Sequence, residues 1–95
     1  MVFNITLQGT DYSIIKAPAS SPKKLSATYM NEKTGRLNTI KFGAKNYEHY
    51  FDQTGLLPLK LNHLDKDRRR NYRSRHRNDN LDRPSAGILS WYLLW

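Results

Sequence analysis

Lys24–Phe42, KLSATYMNEKTGRLNTIKF, sets the architecture. Leu25, Ala27 and Tyr29 alternate with polar neighbours, the period-2 pattern of a strand with one buried face. Leu37–Phe42 alternates in the same way. Between them Asn31-Glu32-Lys33-Thr34-Gly35 carries turn residues, with a glycine available for positive φ. The stretch therefore predicts an antiparallel β-hairpin.

The upstream residues extend the β reading. Ala17–Pro22 (APASSP) holds two prolines and two serines, which block regular pairing and mark a loop. Val2–Leu7 and Tyr12–Lys16 are two further candidate strands, with a turn at Gly9-Thr10-Asp11. Whether residues 1–22 form edge strands or an arm stays open at this level.

The downstream half changes character. Asn46–Phe51 is rich in aromatics, and Gly55 and Pro58 break the residues after it. Leu57, Leu61, Leu64, Arg68, Tyr72 and His76 then fall on one helical face, with spacings of 4, 3, 4, 4 and 4. Asp65 or Asn62 is the expected N-cap of a helix over 61–78. Leu61, Leu64 and Tyr72 are expected to face the domain and the arginines a partner. A second, aromatic helix is expected over 83–95, with Asp82 as cap and Pro84 in its first turn. It should bury Ile88, Trp91, Tyr92 and Trp95. The whole is a small α+β fold: an N-terminal antiparallel hairpin or meander, a basic helix and a short aromatic C-terminal helix. Ninety-five residues make a single domain with a thin core.

Charge is concentrated in one place. Lys66–Arg77, KDRRRNYRSRHR, holds seven Lys/Arg against one acid and so supplies six of the chain's eight net positive charges. Such a density is self-repelling unless an anionic partner neutralises it. Six of the seven cations are arginine, which grips phosphate or carboxylate through two parallel hydrogen bonds. Lys66, Arg68, Arg69, Arg70, Arg73, Arg75 and Arg77 are thus the candidate polyanion- or partner-binding residues. Tyr72, Trp91, Tyr92 and Trp95 are the candidate aromatic anchors, since aromatics and arginine dominate interface hot spots. The run also matches the low-specificity pattern of a nuclear-import signal.

Other chemistries have little support. There is no cysteine, so disulfides and thiolate metal sites are excluded. His63, Asp65 and His76 are the nearest approach to a metal or nuclease set, but no HExxH, CxxC, Walker or GxGxxG pattern accompanies them. No catalytic residue, cofactor or small-molecule substrate is expected. The N-terminus lacks a signal-peptide pattern, which leaves the Asn4-Ile5-Thr6 sequon unused. The longest apolar stretch, Ile88–Trp95, falls short of the roughly 20 residues of a membrane span.

Lys23-Lys24, Phe42-Gly43-Ala44, Tyr47, Tyr50, His63-x-Asp65, Tyr72-x-x-Arg75-His76, Ala86-Gly87, Leu89-Ser90 and Leu94-Trp95 form an ordered series. It resembles a family of small basic proteins encoded by nucleocytoplasmic large DNA viruses. The resemblance covers roughly Lys23 to Trp95, with FDQTGLLPLKLN (Phe51–Asn62) inserted where family members pass quickly from the Tyr to His-x-Asp. It implies a viral origin rather than a particular activity. The expectation is a virion structural protein, a minor capsid or cement component, made in the host cytoplasm or nucleus and contacting other capsid proteins. The alternative is a virion or nuclear protein that binds DNA or RNA without reading sequence.

Overall fold

The computed structural model describes residues 1–78 and 84–95. The alternating first half forms four antiparallel strands, β1 (Phe3–Leu7), β2 (Thr10–Lys16), β3 (Lys23–Asn31) and β4 (Arg36–Ala44), in the spatial order β1-β2-β3-β4. Within the first 22 residues, Phe3–Leu7 and Thr10–Lys16 thus join the sheet as edge-side strands β1 and β2. The β1–β2 turn is tighter than the expected Gly9-Thr10-Asp11: Leu7 pairs with Thr10, leaving Gln8 and Gly9 at φ 51° and 77°. Two positive φ values in a two-residue loop match the right-handed twist of the strands it joins. The β3–β4 turn closes where the Gly35 amide donates to the Asn31 carbonyl at 2.8 Å.

Register places the core. Ile14 pairs with Ala27, Ala27 with Ile40, and Leu25 with Phe42. Tyr12, Ile14, Leu25, Ala27 and Phe42 are buried together with Leu57 and with Ile88, Leu89, Leu93 and Leu94. The last four belong to or directly follow the C-terminal helix α2 (Ala86–Leu93), which packs against β4. Each such aliphatic side chain contributes roughly 1.5–3 kcal/mol when fully buried.

α2 departs from expectation in two respects. It runs Ala86–Leu93 rather than 83–95, so Pro84 precedes the helix instead of lying in its first turn, and Ser85 is its N-cap, with Oγ accepting from the Ile88 amide at 3.2 Å. Asp82, the expected cap, lies outside the described residues. Its buried face is Ile88, Leu89 and Leu93, whereas Trp91 is half-buried and Tyr92 is exposed. The leucine side rests on the sheet, and the tryptophan side is left for the basic helix.

That helix, α1, runs Lys66–His76 and is shorter than 61–78. Asp65 is its cap, with Oδ1 accepting from the Asp67 and Arg68 amides at 2.9 and 3.2 Å. Leu59–Leu61 form a single 3₁₀ turn instead, and Leu64 has φ 56°, which no α-helix tolerates. Leu64 is consequently exposed and does not face the domain as expected. Among the described residues, no helix is long and apolar enough to cross a membrane.

Candidate functional site

α1 has no buried residue, so it is not held by a hydrophobic stripe. It is fastened to the end of α2 by rings and guanidinium groups. Tyr72 stacks on Trp95, with centroids 4.5 Å apart and planes 7° from parallel. Arg69 and Arg73 both donate from Nε to the main-chain oxygen of Trp95, at 2.7 and 3.1 Å. The Arg69 guanidinium lies 4.7 Å over the Tyr50 ring and that of Arg73 lies 4.7 Å over Trp91. Cation–π contacts of this kind contribute about 0.5–2 kcal/mol each. Two arginines expected to point at a partner are therefore also structural clasps. Burial, and then the neighbouring Arg69, lower the Arg73 pKa.

The seven candidate cations divide into two sets. Lys66, Arg69, Arg70, Arg73 and Arg77 line a groove of about 600 Å³ with Trp91 in its wall. Arg68 and Arg75 lie on the other flank of α1, in a separate cleft. Arg68 pairs with Glu48 at 3.1 Å and Arg70 with Asp67 at 2.6 Å, both in exposed settings where ion pairs add little stability. Lys66, Arg75 and Arg77 have no ion pair among the described residues. The groove thus presents free and fixed cations together: Arg69 and Arg73 are immobilised by the clasp, and Lys66 and Arg77 are solvated. Of the aromatic candidates, Tyr72 and Trp95 join the clasp and Trp91 lines the groove. Tyr92 stands apart, its hydroxyl accepting from Gln8 Nε2 at 3.1 Å.

A second polar constellation, invisible in the charge count, anchors the 45–65 segment beneath α1. The buried Lys24 ammonium donates to the Tyr47 carbonyl and, at 2.9 Å, to His49 Nδ1. His49 Nε2 then donates to Asn62 Oδ1 at 2.7 Å, and the same oxygen accepts from the Asp52 amide at 3.0 Å. Asp52 in turn accepts from the Thr54 amide and hydroxyl and from the Leu57 amide. Burial lowers the pKa of both Lys24 and His49; for His49, the adjacent Lys24 charge adds to the effect. His49 is therefore held neutral. Lys24 and His49 are 25 residues apart in the chain, so no local spacing rule finds them. The one sequence signal was a lysine beginning an alternating strand.

His63 and Asp65 serve the backbone rather than an ion: His63 Nδ1 accepts from the Asp65 amide at 2.8 Å. The His63 ring packs between Tyr50 and Trp95, with its buried Nε2 lacking a hydrogen-bond partner. Burial lowers its pKa, and Arg68 reinforces the shift. Among the described residues, no group of three His, Asp or Glu side chains is placed to hold a metal ion. Comparison with protein-family models, curated proteins and solved structures finds no match to the chain.

Proposed function

We propose that this chain is a virion structural protein, a minor capsid or cement component of a large DNA virus, that grips acidic faces of neighbouring subunits through α1. The observation that carries the reading is the groove of five cations beside Trp91. It combines the residue types that dominate interface hot spots, arginine and tryptophan, on a helix whose own attachment fixes two of the guanidinium groups. A fixed guanidinium loses less rotamer freedom on binding, and this favours affinity. The resemblance of the Lys23–Trp95 series to small basic viral proteins supplies the setting. The test is to release the genome from purified virions and assay the emptied shells. The protein should remain with the shells, and shells devoid of it would exclude a capsid role.

One feature favours a second reading, non-sequence-specific binding of nucleic acid. The cations run along the whole of α1, whose 11 residues span roughly 16 Å, a length that covers several successive phosphates. In that case affinity for duplex DNA falls steeply with salt. It also falls in a Lys66→Ala/Arg70→Ala/Arg77→Ala variant, and emptied shells lose the protein along with the genome.

A further inference from the structure

Lys24 is only 7% exposed, a rare situation for an ammonium group. Its two acceptors, the Tyr47 carbonyl and His49 Nδ1, are neutral. Among the described residues no carboxylate pairs with it. Asp52 is the acid that acts on it, but the Asp52 oxygens are committed to Thr54 and Leu57. A buried cation is costly unless a counter-charge or a full set of acceptors meets it. An ammonium has three hydrogens to donate, and one here is uncommitted.

The position is also built rather than accidental. Gly43 has φ +77°, and a Cβ there would lie 3.0 Å from Lys24 Cε and 3.1 Å from Leu94 Cδ1. Glycine leaves room here for the Lys24 stem to lie across the strand end and adopts the positive φ without strain. Lys24 lines a cleft of about 890 Å³ between the β3–β4 ends, α1 and the first turn of α2. Among the described side chains, Lys23, Arg68 and Arg75 line it too, against one acidic side chain, Glu48, which Arg68 already engages. Small residues of α2, Ala86 and Gly87, keep it open.

We infer that this cleft is an anion-binding site for a phosphate group, with Lys24 as the buried anchor and Lys23 and Arg75 as the rim. Three cations without a carboxylate partner suit a phosphate, which carries more charge and more acceptor oxygens than a carboxylate. The volume is that of a small-molecule site. The groove of Lys66, Arg70 and Arg77 lies on the other flank of α1 and takes no part, so the inference does not rest on the virion reading.

Two probes test it on the full chain: inorganic pyrophosphate and a nucleoside diphosphate, titrated by calorimetry and by amide chemical-shift mapping. Saturable binding should shift the amides of Lys24, Gly43, Tyr47, His49 and Gly87. Lys23→Ala and Arg75→Ala, both at exposed residues, should each weaken it about tenfold. Ala86→Glu places a carboxylate in the first turn of α2, where the helix dipole favours it. That variant should fold with an undiminished Tm and lose binding. Arg70→Ala/Arg77→Ala should bind pyrophosphate like the unmodified protein. Equal affinity for the two probes identifies the phosphate group itself as the ligand. Tighter binding of the nucleoside diphosphate adds a contact for the base, with the exposed Tyr47 ring the natural platform. No saturable binding, shifts confined to the Trp91 groove, or an Ala86→Glu variant that binds normally would overturn the inference.

Discussion

The sheet with α2 and the basic helix α1 are held by different forces. The first is an apolar core of ten buried side chains among the described residues, held by burial rather than by charge. The second has no buried residue; its attachments include the Tyr72–Trp95 stack, a tilted Tyr72–Trp91 ring contact, two cation–π contacts, the Arg68–Glu48 ion pair and two hydrogen bonds to the Trp95 main-chain oxygen. The surface proposed to meet a partner is thereby separated from the core that keeps the chain folded. Substitutions in the first region should lower global stability, whereas those in the second should loosen α1 locally or, at its solvated cations, weaken binding.

The largest effect is expected in the core. Leu89→Ala removes a fully buried side chain between α2 and the sheet, and should cost about 2–5 kcal/mol in denaturant unfolding. Tyr72→Ala should act locally. It deletes the ring stacked on Trp95 and costs roughly 1–2 kcal/mol, seen as faster amide exchange in α1 with β2–β4 unchanged. A global loss as large as that of Leu89→Ala would erase the distinction between the two regions.

The buried polar network adds a pH dependence. Burial and the Lys24 charge lower the His49 pKa below its ordinary 6.5. The unfolded chain therefore takes up a proton where the folded chain resists it. Stability is fully present above pH 6.5 and is lost as pH falls through the folded pKa. His63, whose pKa is also lowered, acts in the same direction. Unfolding midpoints at pH 7.5 and 5.5 should differ in that sense, and His49→Gln should narrow the gap. The smallest effect on stability is expected from Arg70→Ala/Arg77→Ala, within about 0.5 kcal/mol.

The sheet was legible because alternation is a local signal: each strand carries its own pattern, and Gly9 and Gly35 mark the turns. The existence of α1 was legible for the same reason, and its cap was narrowed to Asp65 or Asn62, of which the structure uses Asp65. Its start was not, because Leu57, Leu61 and Leu64 imitate a helical face that Pro58 and the positive φ of Leu64 prevent. The buried side of α2 was obscured by its apolar sequence, since AGILSWYL offers almost no polar face to orient it. A charge count treats all arginines alike, so it could not separate Arg69 and Arg73, which clasp Trp95, from Arg75 and Arg77. Nor could it find Lys24, whose partners arrive from another part of the chain.

The most direct test of this division is the salt dependence of binding to a heparin oligosaccharide, measured for the unmodified chain and for a Lys66→Ala/Arg70→Ala/Arg77→Ala variant with Tm followed in parallel. An unchanged Tm and weaker binding are expected, with the slope of log K against log salt reduced by about 2. Unchanged affinity and slope, or a collapse of the Tm, would refute the division between a folding core and a binding helix.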